Sequence, residues 1–184
     1  MDPEIRGRGI VTTMPWNWLD TVTIRFLRES DLPALEWDGE FKRYRRIYRE
    51  VYRNEQKGIA VPLVAETAAD GVVGQVFISQ REPNAFYGIN RPYFFLSSFR
   101  IKPPFRCHGL GSLLLKECEK QVRLHRLRDI YLNCAKDNNR ARWFYLAHGF
   151  RVIRPDDGEW SYVNDEGFVV TETQRSYLMR KTLY

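Results

Sequence analysis

The sequence predicts an α/β domain whose sheet starts antiparallel and carries a parallel pair at its centre. Three observations predict it. Two short β-branched runs, "AVPLVAET" (60–67) and "GVVGQVFISQ" (71–80), flank a tight turn, which is a hairpin signal. Further on, a strand-like run "YFFLSSFRI" (93–101), a helix-period segment (109–126) and a second strand-like run "DIYLNCA" (129–135) follow one another. Such a crossover forces its two strands parallel, with right-handed connection. Finally, 184 residues that are 43% hydrophobic and 14% aromatic can bury the core of one domain.

The elements follow in chain order. Residues 1–20 show no period and mix Gly, Pro and Trp, so they read as an arm laid against a single domain spanning 21–184. A strand is expected at 22–27, then a helix capped by Ser30 or Asp31 with Pro33 in its first turn. Phe41, Tyr44, Ile47, Tyr48 and Val51 recur at helical spacing, while Arg43, Arg46, Arg49 and Arg53 take other positions as a solvated basic face. Ala68 to Gly71 close the hairpin, because glycine takes positive φ freely. Residues 81–92 hold the turn formers of a longer loop. In 109–126, Leu110, Leu114, Cys118 and Val122 share one helix face. A last helix over 138–148 should stop at Gly149, followed by a strand near 150–153, a turn-rich stretch at 154–167 and a final strand at 175–183.

Bulk features narrow the function classes. The formal net charge of +6 favours an anionic partner. No recognised nucleic-acid motif accompanies that charge, so no nucleic-acid partner is expected. The chain has no apolar run of about 18 residues, and its N-terminus does not read as a secretory signal; no membrane partner and a cytoplasmic location are expected. Cys107, Cys118 and Cys134 lack CxxC spacing, and His108, His125 and His148 are scattered, so free thiols and no metal are expected.

The most informative stretch is "FRIKPPFRCHGLGSLLL", residues 99–115. A strand that enters a glycine turn and opens at once into a helix leaves the first main-chain N–H groups of that helix without partners. The helix dipole adds positive character there, Arg106 adds a full charge, and Gly109 and Gly111 keep side chains out of the way. The physical reading is a cradle for a pyrophosphate. The GxxxxGK[ST] loop is absent, and Gly109 and Gly111 are followed by Leu114, which breaks GxGxxG.

With Ile101, Pro103, Arg106, Gly109 and Gly111 in place, this stretch resembles motif A of the GNAT superfamily of acyl-CoA-dependent N-acyltransferases. Downstream, "NNRARWFYLAHGF" is similar to the family's motif B, with Asn138, Ala141, Tyr145, Gly149 and Phe150 in register. The resemblance covers about 22–183 and implies the GNAT-type fold: a mixed, mostly antiparallel sheet splayed at its parallel pair, with helices on both faces. It further implies acetyl-CoA as co-substrate and an amine as acceptor. The backbone at Phe99 and Ile101 would pair with the pantetheine arm, and the amides from Cys107 through His108, Gly109, Leu110 and Gly111 to Ser112 would hold the diphosphate. Asn138 would contact the cofactor near the thioester, and Tyr145 would be the general acid for the departing thiolate. Cys107 stands where the family often has glycine, and "YFFLSSFRI" lacks the acid that some members use as base. Glu66, and Asp38 with its neighbours Glu36 and Glu40, are the candidate bases. "EWDGEF" and "DDGEWSY" offer carboxylates, Trp37 and Trp160 to a cationic acceptor. A second copy of the chain is a candidate partner. The alternative is a non-catalytic acyl-CoA-binding or sensor module of the same fold, which the missing strand acid favours.

Overall fold

The structure, a computed structural model, describes residues 18–184. Most of the expected arm, residues 1–17, lies outside them; its last residues, Trp18 to Asp20, begin a 3-10 turn whose Trp18 is buried against Phe105. The expected strand is β1 (Thr23–Phe26), and the hairpin is β2 (Ala60–Thr67) with β3 (Gly71–Arg81). β2 and β3 are apolar without alternation because both of their faces are covered. Val61, Leu63 and Ala65 pack against α2 (Leu110–Leu124) through Leu110, Leu114, Cys118 and Val122. Ala60 and Val64 face the other way, onto Tyr48 and Val51 of α1 (Arg45–Glu55). Helices therefore lie on both faces of the sheet.

β4 (Tyr93–Ile101), β5 (Asp129–Ala135), α3 (Asn139–Ala147), β6 (Arg151–Val163) and β7 (Val169–Thr182) complete the described chain. The seven strands stand in the order β1-β2-β3-β4-β5-β7-β6. Every neighbouring pair is antiparallel except β4 and β5, which are parallel over only two pairs, Phe94 with Ile130 and Phe95 with Tyr131. Beyond Phe95 the two strands part. A bulge helps: Phe77 opposes Ser97 and Gln75 opposes Arg100, so β4 carries one extra residue there, and Ser98 takes a φ of +50°.

Two expectations change. The segment after β1 is not an α-helix but a 3-10 helix, Glu29–Glu36, in which Asp31 Oδ2 accepts from the Arg28 N–H at 2.7 Å. Pro33 sits inside it, and it ends on three successive positive φ values at Trp37, Asp38 and Gly39 that turn the chain back before α1. The stretch 154–167, read as turns, is mostly the long strand β6, with the turn confined to 164–168 and β7 starting earlier than expected. Among the described residues no helix is long and apolar enough to cross a membrane.

Candidate active site

Where β4 and β5 separate, a cleft of about 700 Å³ opens between the end of β4, the turn before α2, and α3. Phe99 and Ile101 form its floor, and the turn from Arg106 to Ser112 forms one end. That turn is built from unusual backbone: Cys107 has φ +63° and Gly109, the residue capping α2, has φ +91°. Among the described residues, none of the main-chain N–H groups from Cys107 to Ser112 has a hydrogen-bond partner. Unpartnered amides at the start of α2 are the arrangement that the spacing predicts, and such an arrangement can hold an anion.

The glycines do more than keep space for an anion. A Cβ at Gly109 would lie 2.9 Å from Leu19 Cδ1, and one at Gly111 would lie 3.2 Å from the Phe144 ring. Gly109 is held to glycine by its φ of +91°, since Leu19 Cδ1 is the end of a flexible side chain, while a side chain at Gly111 would make the Phe144 ring give by a few tenths of an ångström. Ser112 is tied to α3, its hydroxyl donating to His148 Nε2 at 2.9 Å while His148 Nδ1 donates to the Phe144 carbonyl.

The cleft gathers most of the predicted residues. Arg106 lines it, with Nε donating to the Ile101 carbonyl at 2.7 Å, so the carbonyl that a pantetheine amide would seek is engaged by the chain's own arginine. Asn138 lines it as the cap of α3, its Oδ1 accepting from the Ala141 N–H at 3.0 Å. Tyr145 lines it with its ring buried among Phe99, Phe144 and Phe150, and its hydroxyl has no hydrogen-bond partner among the described residues. Burial pushes the Tyr145 phenol well above its ordinary range, so it stays protonated. Leu110 is buried in the core instead, and the His108 side chain stands edge-on to Trp18 outside the cleft.

The candidate bases do not line the cleft. Arg25 grips both Asp31, through contacts of 2.6 and 3.0 Å, and Glu66, whose carboxyl it hydrogen-bonds and holds below the usual carboxylate range. A carboxylate so paired is a weak base facing the wrong cation. Glu36 is held in the same manner by Arg45, while Asp38 and Glu40 are exposed on the turn before α1. Trp160 stacks with Tyr162 and Tyr44 away from the cleft, whereas Trp37 does line it.

Sequence reasoning missed four arginine and aromatic neighbours, Phe144 described above among them. Arg140 lines the cleft with Nη2 3.1 Å from Cys107 Sγ, and Phe41 and Arg100 line the end opposite the glycine turn. Arg100 was visible as the one charged residue inside an otherwise apolar and hydroxylic strand.

Comparison with known proteins bears on the fold and the family. Residues 24–150 match the model of the acetyltransferase (GNAT) family. No curated protein matches the chain by sequence. Among solved structures, the PaiA N-acetyltransferase of Thermoplasma acidophilum in complex with coenzyme A is 18% identical at a TM-score of 0.64, covering 88% of this chain and 98% of its own. A GNAT-family acetyltransferase from Streptococcus pneumoniae is 22% identical at 0.62, covering 88% and 99%. Spermidine N-acetyltransferase from Vibrio cholerae, with CoA and spermine, is 20% identical at 0.58, covering 89% and 96%. At such identities the structures speak to the fold alone, and the family match speaks to descent. The family model matches more than half of the chain, and on that match the chain belongs to the GNAT family of acetyltransferases.

Proposed function

We propose that this protein transfers the acetyl group of acetyl-CoA to a primary amine. The observation that carries the reading is the row of unpartnered amides from Cys107 to Ser112 at the mouth of the cleft between β4 and β5. Those amides and the start of α2 would bind the diphosphate, and the apolar floor of Phe99 and Ile101 would lie along the pantetheine arm. Asn138 still has its side-chain NH₂ to offer.

The amine nitrogen attacks the thioester carbonyl, the carbon–sulfur bond breaks, and the electron pair leaves on sulfur. Tyr145 donates its proton to that thiolate and regains one from solvent. Burial keeps this phenol protonated throughout the neutral range and also makes it a weaker acid, so its part is a hydrogen bond to the sulfur that strengthens into proton transfer as the thiolate forms. With no carboxylate lining the cleft, the proton lost by the amine goes to water, so the free amine is the reactive form. The same lack of a lining acid favours the second reading, a module of this fold that binds acyl-CoA without turnover.

Titration calorimetry with acetyl-CoA, followed by thiol release in the presence of a broad amine panel, tests both. Binding with thiol release supports the acetyltransferase; binding with no release across the panel supports the sensor. Failure of every acyl-CoA to bind would sink both.

A further inference from the structure

The charge of the cleft bears on the acceptor. Among its lining residues are three arginines, Arg100, Arg106 and Arg140, and no aspartate or glutamate. Of the acids nearby, Glu36 is paired with Arg45, Asp31 and Glu66 share Arg25, and Asp38 and Glu40 stand exposed on the turn outside the lining. Such a cleft repels a polycation. Arg106 and Arg140 stand at the glycine turn, where a diphosphate would account for them. Arg100 does not.

Arg100 lies at the other end, beside Trp37 and Phe41, on the strand face opposite to Phe99. Its guanidinium carbon stacks 4.1 Å from the Phe41 ring centre and 5.3 Å from that of Tyr44, and Nη1 donates to the Tyr48 hydroxyl at 3.0 Å. The ring stack and this bond fix the plane of the fork while leaving its other N–H groups without partners. Among the described residues no carboxylate pairs with it. Across the sheet it opposes Gln75, which is wholly buried. Trp37 beside it is 9% exposed, and its indole N–H is buried with no partner. The Trp37 N–H is closed off from the cleft, so on this wall the half-buried, immobilised cation Arg100 is the group that presents free donors with no acceptor.

We infer that the amine acceptor carries a carboxylate, and that Arg100, with Trp37 beside it, is the group that binds it. The inference rests on the acetyltransferase reading and narrows its substrate class to small amino acids in the broad sense, α or ω. A planar carboxylate fits the two parallel N–H bonds of a guanidinium, and the rings of Trp37 and Phe41 would flank the carbon chain between the carboxylate and the amine.

The test uses the full chain, acetyl-CoA, the common L-amino acids with β-alanine and γ-aminobutyrate, the carboxamide of each, and spermidine. Thiol release and product mass are the readouts, with acetyl-CoA affinity measured separately. At least one free acid should exceed its own carboxamide in kcat/KM by about 30-fold or more, the penalty for a lost charge-assisted pair. Arg100→Gln should erase that preference through KM, with acetyl-CoA affinity unchanged as the check on folding, and Arg100→Lys should restore part of it. Carboxamides or spermidine acetylated as well as the acids would overturn the inference and leave the acetyltransferase reading standing. Acetyl-CoA binding with no acid acetylated would overturn it too. Acetyl-CoA failing to bind would remove the parent reading, and this one with it.

Discussion

Tyr145 and Cys107 show how single residues in the cleft are set by their surroundings. Tyr145 gives up water for a cage of phenylalanine rings, and the same burial that raises its pKa keeps the proton it would donate. Tyr145→Phe should lower kcat by about 100-fold or more while acetyl-CoA binding holds, since the hydroxyl contributes only when sulfur departs. Because burial moves this phenol up rather than down, kcat/KM should rise with pH as the amine deprotonates and show no descending limb from Tyr145 up to about pH 10. Cys107 is a different case. It holds a φ of +63°, which costs a non-glycine residue about 1 kcal/mol, at a place where the family often has glycine. Cys107→Gly should relieve that strain and raise the melting temperature by about 2–4 °C, as read by scanning calorimetry. A fall in melting temperature would mean that the Arg140 contact to the thiol outweighs the strain.

Among the elements, the turn into α2 and the separation of β4 from β5 together make the site, and they were unequally legible. The turn could be read because proline, arginine and glycine each act within a few residues of themselves. What the sequence left hidden was the second reason for Gly111, because Phe144 approaches it from a distant part of the chain. Gly111→Val should therefore do two things, pushing Phe144 and α3 away from α2 and weakening acetyl-CoA binding. A stability loss of about 2 kcal/mol in urea titration is expected from the overpacking. Unchanged stability would show that the Phe144 ring can swing aside. The β-strand β6 was illegible for a different reason. It is the edge strand beyond β7, most of its residues are exposed, and it contains Pro155 and Asp156-Asp157-Gly158, all of which imitate a turn. Its strand character comes from a ladder to β7 running from Arg151–Arg180 to Val163–Val169, and pairing of that kind leaves no hydrophobic period behind. Likewise, the pairing of Glu66 with Arg25 joins residues 41 positions apart, which is why spacing alone offered Glu66 as a base.

For the molecule as a whole, the Arg25 cluster links the first strand, the 3-10 helix that leads to Trp37, and the second strand, so it ties the acceptor end of the cleft to the sheet. Its carboxylates also set how stability follows pH. Arg25 lowers the pKa of Glu66, and for Asp31 the burial that opposes ionisation is outweighed by Arg25 and the Arg28 N–H, so both titrate lower folded than unfolded. Groups depressed on folding stabilise the protein above their unfolded pKa of about 4, and that stabilisation is lost as pH falls through the folded values. Stability should therefore be flat from about pH 7 to 5 and decline below about pH 4. Arg25→Met isolates the cluster: it leaves Asp31 buried and two carboxylates with no guanidinium between them, at a cost of about 3 kcal/mol near neutrality. Without the cation those carboxyls take up protons more readily, so the variant should lose less than the parent on acidification, and the gap between the two should narrow toward pH 3. Urea unfolding of both chains at pH 7, 5 and 3 reads this directly. A gap that stays constant across that range would show that Arg25 acts by packing its stem, and not through the charges it joins.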